Sequence, residues 1–250
     1  MSRLVVVHPD ADVLAQAAAA RLLTRVLDVQ SVRRPVHVVL TGGTVGIKTL
    51  AAAAVSPLVR AVDWTGVHLW WGDERFVPSG HADRNETQAR EALVDALVAS
   101  AGLPEANVHP MPGPDVAASP EESAAAYAEQ LAAFAPEGAE VPVPAFDVLL
   151  LGMGPDGHVA SLFPGHEALQ AGGTAVGVHG SPKPPPERVS LTFDAITAAR
   201  EVWVVAAGAE KAERAAAALA GQPVSEVPAA GATGTEQTLW LLDTAAADAP

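Results

Sequence analysis

The stretch FDVLLLGMGPDGHVASLFPGH, residues 146–166, decides how the chain is read. It opens on Phe146-Asp147-Val148-Leu149-Leu150-Leu151, an almost unbroken apolar run. A strand with one wet face alternates apolar and polar side chains. A run without alternation, bounded by turn residues, fits a strand buried on both faces of a parallel sheet. Gly152, Gly154 and Gly157 follow, with Pro155 and Asp156 between them. Glycine takes backbone angles that other residues resist and lets a ligand come close to the main chain. These three glycines and Asp156 are therefore expected to shape a loop. His158 stands just past the carboxyl end of the strand, where open α/β sheets bind their ligands. The residues from His158 to Phe163 read as a short helix stopped by Pro164-Gly165. A plain strand-to-helix turn with an exposed histidine would use the same residues, so the rest of the chain has to decide.

Outward from this stretch, further apolar runs fall at Leu4–His8, Val36–Leu40, Val67–Trp71, Arg188–Thr192, Glu201–Ala207 and Thr238–Leu242. Segments with helical spacing separate them, at about 10–29, 45–55, 86–98, 120–134 and 210–220. Asp10 or Asp12 can cap the first, and Ser119 with Pro120 can start the fourth. Short strands are expected near Asn107–His109 and between Gly172 and Gly180, and a frayed tail after Asp243. Strands alternating with helices imply an α/β fold: a doubly wound, mostly parallel sheet with helices on both faces, with room for a small extra lobe. No internal repeat or linker divides the chain, so residues 1–250 are expected to form a single domain.

Composition narrows the function. The chain holds 250 residues, no cysteine, and a net charge of −14. Disulfides and thiol catalysis are excluded, which fits a reducing cytoplasm. The negative charge argues against nucleic acid or an anionic membrane as partner. No apolar segment reaches the roughly 18 residues of a membrane helix. With 15 Lys and Arg in all, a cation beside a glycine loop is worth noting. Thr41-Gly42-Gly43-Thr44 lies between a strand and a helix, where free amides and two hydroxyls suit a phosphate. Asp73-Glu74-Arg75 follows a buried strand and faces the same edge as Thr41 and His158. Lys183 and Arg188 flank the rigid Pro184-Pro185-Pro186. Lys211 opens a helix, where a lysine opposes the dipole unless an anion is present. Taken singly, each of these could be an ordinary turn, solvated loop or surface lysine. His81, Asp83, His158 and His166 show no ligand spacing, so no metal is expected. The chain also lacks the GxSxG elbow of a serine hydrolase.

Together the segments LTGGT, WWGDERFVP, ADRNETQAREAL, DVLLLGMGPDGHVASLFPGH, SPKPPPERVSLTF and VVAAGAEKA resemble the 6-phosphogluconolactonases, in the same order and from about Leu4 to Leu242. The glycine-histidine loop is shared with a wider group that includes glucosamine-6-phosphate deaminases; the DERFVP and SPKPPPER segments favour the lactonase. The resemblance implies the fold of the sugar-phosphate deaminases, ribose-5-phosphate isomerase and CoA transferases. It implies hydrolysis of 6-phospho-D-glucono-1,5-lactone to 6-phosphogluconate in the oxidative pentose phosphate pathway, without a cofactor. The partner expected is the phosphorylated sugar lactone, acted on by a monomer or small homo-oligomer. His158 is then expected to act as general base on water, since histidine gains and loses a proton near neutral pH. Asp156 is the candidate to orient it. Arg75 is expected to stabilise the oxyanion or to bind the polar face of the substrate. Asp73 is a further catalytic candidate, next in line as base with Glu74. Thr41, Gly42, Gly43, Thr44, Lys183, Arg188 and Lys211 are expected to hold the phosphate.

Two departures from the resemblance stand out. TGGTVG replaces the common Ser-Gly-Gly-Ser-Thr-Pro. Arg84 adds a cation where Asp-Ser-Asn is common. The competing readings are another sugar-phosphate isomerase or deaminase and a non-catalytic sugar-phosphate sensor. No carboxylate follows His158 until Glu167, and no basic helix-turn-helix precedes the first strand; these absences disfavour the two rivals in turn.

Overall fold

The apolar runs become strands. In the computed structural model, which describes residues 2–248, they are β1 (Ser2–His8), β2 (Val36–Leu40), β3 (Val67–Trp71), β4 (Asp73–Arg75), β5 (Val148–Gly152), β6 (Ala175–Val178), β7 (Arg188–Leu191), β8 (Glu201–Ala206) and β9 (Gln237–Asp243). Six of them form one all-parallel sheet in the order β1-β9-β8-β5-β2-β3. The remaining three form a small antiparallel sheet, β4-β7-β6.

The helices are α1 (Ala11–Gln30), α2 (Gly43–Val55), α3 (Asn85–Ala89), α4 (Asp95–Ser100), α5 (Pro120–Ala132), α6 (Phe193–Thr197), α7 (Ala212–Leu219) and α8 (Thr244–Ala247). Alternate residues of each strand enter opposite cores. Val38, Leu40, Val148 and Leu150 pack with Leu14, Leu22 and Leu50 of α1 and α2. Val39, Leu149 and Leu151 pack with Tyr127 and Leu131 of α5 and Ala215 of α7. Both faces are therefore covered, which is why the strands read as continuous apolar runs.

From β2 the chain steps outward to β3; from β5 it steps the other way, to β8 and then β9. The crevice past the carboxyl ends of β2 and β5 is thus the switch point of the winding, where such sheets receive ligands. Thr41-Gly42 leaves β2 there and Met153-Gly154 leaves β5.

Local caps follow the sequence. Asp10 accepts from the amides of Asp12 and Val13 at the start of α1, and Ser119 accepts from Glu122 at the start of α5. Four expectations are corrected. Residues 158–163 are a turn: Gly154 N donates to His158 O, Leu162 N donates to Val159 O, and Val159 pairs back on Met153. Val159 and Leu162 are fully buried, so their spacing of three, which mimics a helix, serves a chain reversal through Ala160 at φ 49°. The helix expected at 86–98 is interrupted by a π segment, Arg90–Val94, between α3 and α4. At residues 107–109 there is a single bridge, Leu69 to Val108, in place of a strand. The tail folds into α8, with Asp243 capping it through Ala246 N; residues 249–250 of that tail lie outside the described residues.

Candidate active site

A cleft of about 300 Å³ opens at the switch point. Its lining draws in Thr41, Gly42, Gly43, Thr44, Asp73, Arg75, Gly152, Gly154, His158, Lys183, Arg188 and Lys211 from five separate segments. Asp156 and Gly157 stand directly behind, in the turn that carries His158. His81, Asp83 and His166 do not line it.

His158 is held from two sides. Its Nδ1 lies 2.5 Å from Asp156 Oδ1, and its ring packs 4.6 Å from that of Phe163. With Nδ1–H donating to the carboxylate, the lone pair on Nε2 is left as the ring's acceptor. Lys183 Nζ lies 3.5 Å from the same Nδ1 and 3.8 Å from Asp156 Oδ1; the shorter carboxylate contact sets the tautomer. Burial pushes the Asp156 carboxyl up, but the hydrogen bond and charge of His158, with Lys183 behind them, hold it at about 2. Asp156 is therefore an anion wherever the imidazole works. Gly154 makes the arrangement possible: a Cβ there would lie 2.1 Å from His158 Cε1 and Nδ1.

The glycine turn after β2 supplies unpaired amides. Gly42 is the N-cap of α2 and offers no side chain to its first turn, so those N–H groups are open to an anion. The Thr41 hydroxyl accepts from Gly152 N at 3.0 Å and so ties the two loops together. Thr44 is exposed at the mouth. Lys211 stands at the N-cap of α7. Burial, together with the charge of Lys183, pulls it below the ordinary lysine range, against Glu210 and Asp243.

The two arginines differ. Arg75 donates from Nη1 to Asp83 O at 2.5 Å, while its buried Nε has no partner. Arg188 is 4% exposed. Its Nε donates to Pro185 O at 3.2 Å and its Nη2 to Lys183 O and Pro184 O, both at 3.1 Å. It therefore holds the proline loop that presents Lys183, leaving Nη1 toward the cleft, 3.9 Å from Asp73 Oδ2. Burial lowers the pKa of Arg188. Asp73 has both carboxylate oxygens engaged, by Ser161 Oγ at 2.7 Å and Asn85 Nδ2 at 3.1 Å.

Three residues not assigned to the site from sequence shape it, together with Glu74, named there as an alternative base. Asn85, 2% exposed, lines the cleft with its Oδ1 unpartnered. That oxygen rests on Gly42, where a Cβ would come within 1.9 Å of it. Ser161 is fully buried against Asp73. Glu74 is 1% exposed, and Arg84, flagged as an extra cation, is equally buried. Asn85 had one signal: it ends the ADRN segment directly at a helix start.

The chain matches the family model described as Glucosamine-6-phosphate isomerases/6-phosphogluconolactonase over residues 9–240. It is 53% identical to the 6-phosphogluconolactonase of Streptomyces coelicolor, across 97% of this chain and 93% of that one. Identity to the 6-phosphogluconolactonase of Mycobacterium tuberculosis is 44%, across 99% and 98%. The solved structure of 6-phosphogluconolactonase from Trypanosoma brucei matches with a TM-score of 0.83 at 30% identity, covering 98% of each chain.

Proposed function

Because the chain belongs to the glucosamine-6-phosphate isomerase/6-phosphogluconolactonase family, we infer that it hydrolyses 6-phospho-D-glucono-1,5-lactone to 6-phosphogluconate, in the oxidative pentose phosphate pathway. The observation that carries the mechanism is the His158–Asp156 pair in a cleft lined by open amides and cations. Nε2 of His158 takes a proton from water as the water oxygen bonds to the lactone carbonyl carbon. The imidazolium so formed is stabilised by the Asp156 carboxylate. Arg75 stabilises the carbonyl oxygen as it gains charge. The bond from that carbon to the ring oxygen then breaks, and the imidazolium returns its proton to the ring oxygen. The substrate's phosphate is held by the amides after Thr41, by Lys211 and by Lys183, which Arg188 positions.

The substrate is a small phosphorylated lactone. Among the described residues no helix is long and apolar enough to cross a membrane. The cysteine-free composition fits a reducing, cytoplasmic setting.

The test is His158→Asn, with the lactone generated in situ and its spontaneous opening subtracted. Asparagine keeps hydrogen bonding but cannot take the proton. The expected loss in kcat is about 10²–10⁴-fold, the usual contribution of a general base. An unchanged rate would move the base elsewhere.

A further inference from the structure

The loop that carries Arg75 is pinned by a buried carboxylate. Glu74 Oε1 accepts from the amides of Arg75 at 2.8 Å and Asn85 at 2.7 Å, and its Oε2 accepts from Glu86 N at 2.9 Å. Arg75 and Asn85 both line the cleft. One side chain thus fixes both ends of the 75–85 loop, and the bond from Arg75 Nη1 to Asp83 O ties the two ends together. Arg84 Nη2 stands 3.7 Å from Glu74 Oε2. The same guanidinium donates to Val77 O at 3.1 Å, Met111 O at 2.7 Å and Glu86 Oε2 at 3.4 Å.

We propose that Glu74 is a positioning residue for the lactonase reaction, that it works only as the ionised carboxylate, and that the buried Arg84 is what favours the ionised form. A protonated carboxyl would turn one acceptor oxygen into a donor facing an amide or a guanidinium, and the loop would have to yield. The charged and titratable groups around Glu74 are Asp73 and Arg75 on its own strand, Arg84 and Glu86 at the start of α3, Arg188 on β7 and Tyr127 on α5. Burial pushes the Glu74 carboxyl up to about 7, against Arg84 and the three amides, which hold it down. Arg84 is the cation that opposes this burial, so its loss carries the carboxyl further up and the loop toward its idle form.

This inference rests on the lactonase reading and is tested beside it. The kcat/KM profile is measured from mildly acidic to mildly basic pH for the wild type, Arg84→Met and Arg84→Lys, with spontaneous hydrolysis subtracted. An opposite charge at this range lowers a carboxyl by roughly 1–3 units. Arg84→Met should therefore move the acid limb up by about that much and regain activity toward basic pH. Arg84→Lys keeps a cation and should leave the limb near that of the wild type even if its Tm falls. Glu74→Gln, of the same size but never charged, should lose about 10²-fold at every pH, the effect of a displacement of about 1 Å in the site, while still binding 6-phosphogluconate. It also serves if Arg84→Met does not fold. An Arg84→Met profile superimposed on the wild type, an equal shift in Arg84→Lys, or near wild-type activity in Glu74→Gln would overturn the proposal. A wild type inactive on the lactone would instead sink the functional reading beneath it.

Discussion

Gly154→Ala adds one methyl group to the wall behind the base. Gly154 does not have a positive φ, so alanine meets no backbone penalty there and the whole effect comes from contact. The new Cβ would lie 2.1 Å from His158 Cε1 and Nδ1, and 2.6 Å from Asp156 Oδ1, where ordinary contact begins at 3.4 Å. The imidazole must retreat by the difference, 3.4 − 2.1 = 1.3 Å. Retreat toward Phe163 is blocked, since that ring is 1% exposed and already in contact, so the ring must tilt and pull its Nδ1 away from Asp156. A displacement of about 1 Å in a reacting group costs on the order of 10²-fold, or about 2.7 kcal/mol of transition-state stabilisation. We expect kcat to fall by that factor in the stopped-flow lactone assay. KM should change less than kcat, because the amides after Thr41 and Lys211 line the cleft from segments other than the glycine loop. Circular dichroism and Tm would show whether the fold is retained. A folded Gly154→Ala enzyme with wild-type kcat would refute the placement of His158 as the base.

Lys211→Ala should raise KM for the phosphorylated lactone far more than for unphosphorylated gluconolactone; equal effects on the two substrates would remove it from the phosphate site. Arg75→Lys keeps the charge but loses the planar fork and the bond to Asp83 O, so kcat/KM should drop by at least about tenfold for a lost charge-assisted bond of roughly 1.5–3 kcal/mol; near wild-type turnover would relegate Arg75 to loop anchoring. At the amino ends of β2 and β3, burial first and neighbouring imidazoles second push His37 down to about 3 and His109 to about 4. Both pKa values are depressed on folding, so the unfolded chain binds the extra protons and stability falls as pH drops from about 6.5 toward 4. His109→Phe, which keeps the stack on Trp70, should flatten that dependence in urea titrations; an unaltered slope would show that the cluster does not govern acid stability.

The central strands were legible because burial on both faces leaves no polar interruption, as at Val148–Leu151. The cleft residues were legible because glycines and scarce cations gathered at strand ends. Other features were hidden for physical reasons. Val159 and Leu162 are spaced as in a helix, yet both are buried by a reversal that only the packing reveals. Strand β4 is three residues long and polar, too short to show a period. Glu74 was legible only as an alternative base and Arg84 only as an extra cation, since nothing local announces that the two will be buried together. Arg188, expected to grip phosphate, spends most of its donors on the carbonyls of its own loop, a use that depends on how the prolines fold back.

The pairing of β4 with β7 joins Arg75 to Arg188 across opposite halves of the chain, and β5 must settle beside β2 before His158 meets the Thr41 turn. Closing such long loops costs entropy that is recovered only when the final contacts form. No early folding intermediate can therefore hold a working cleft. Regain of catalysis during refolding should report completion of the whole winding and lag behind the appearance of helical signal from α1 and α5.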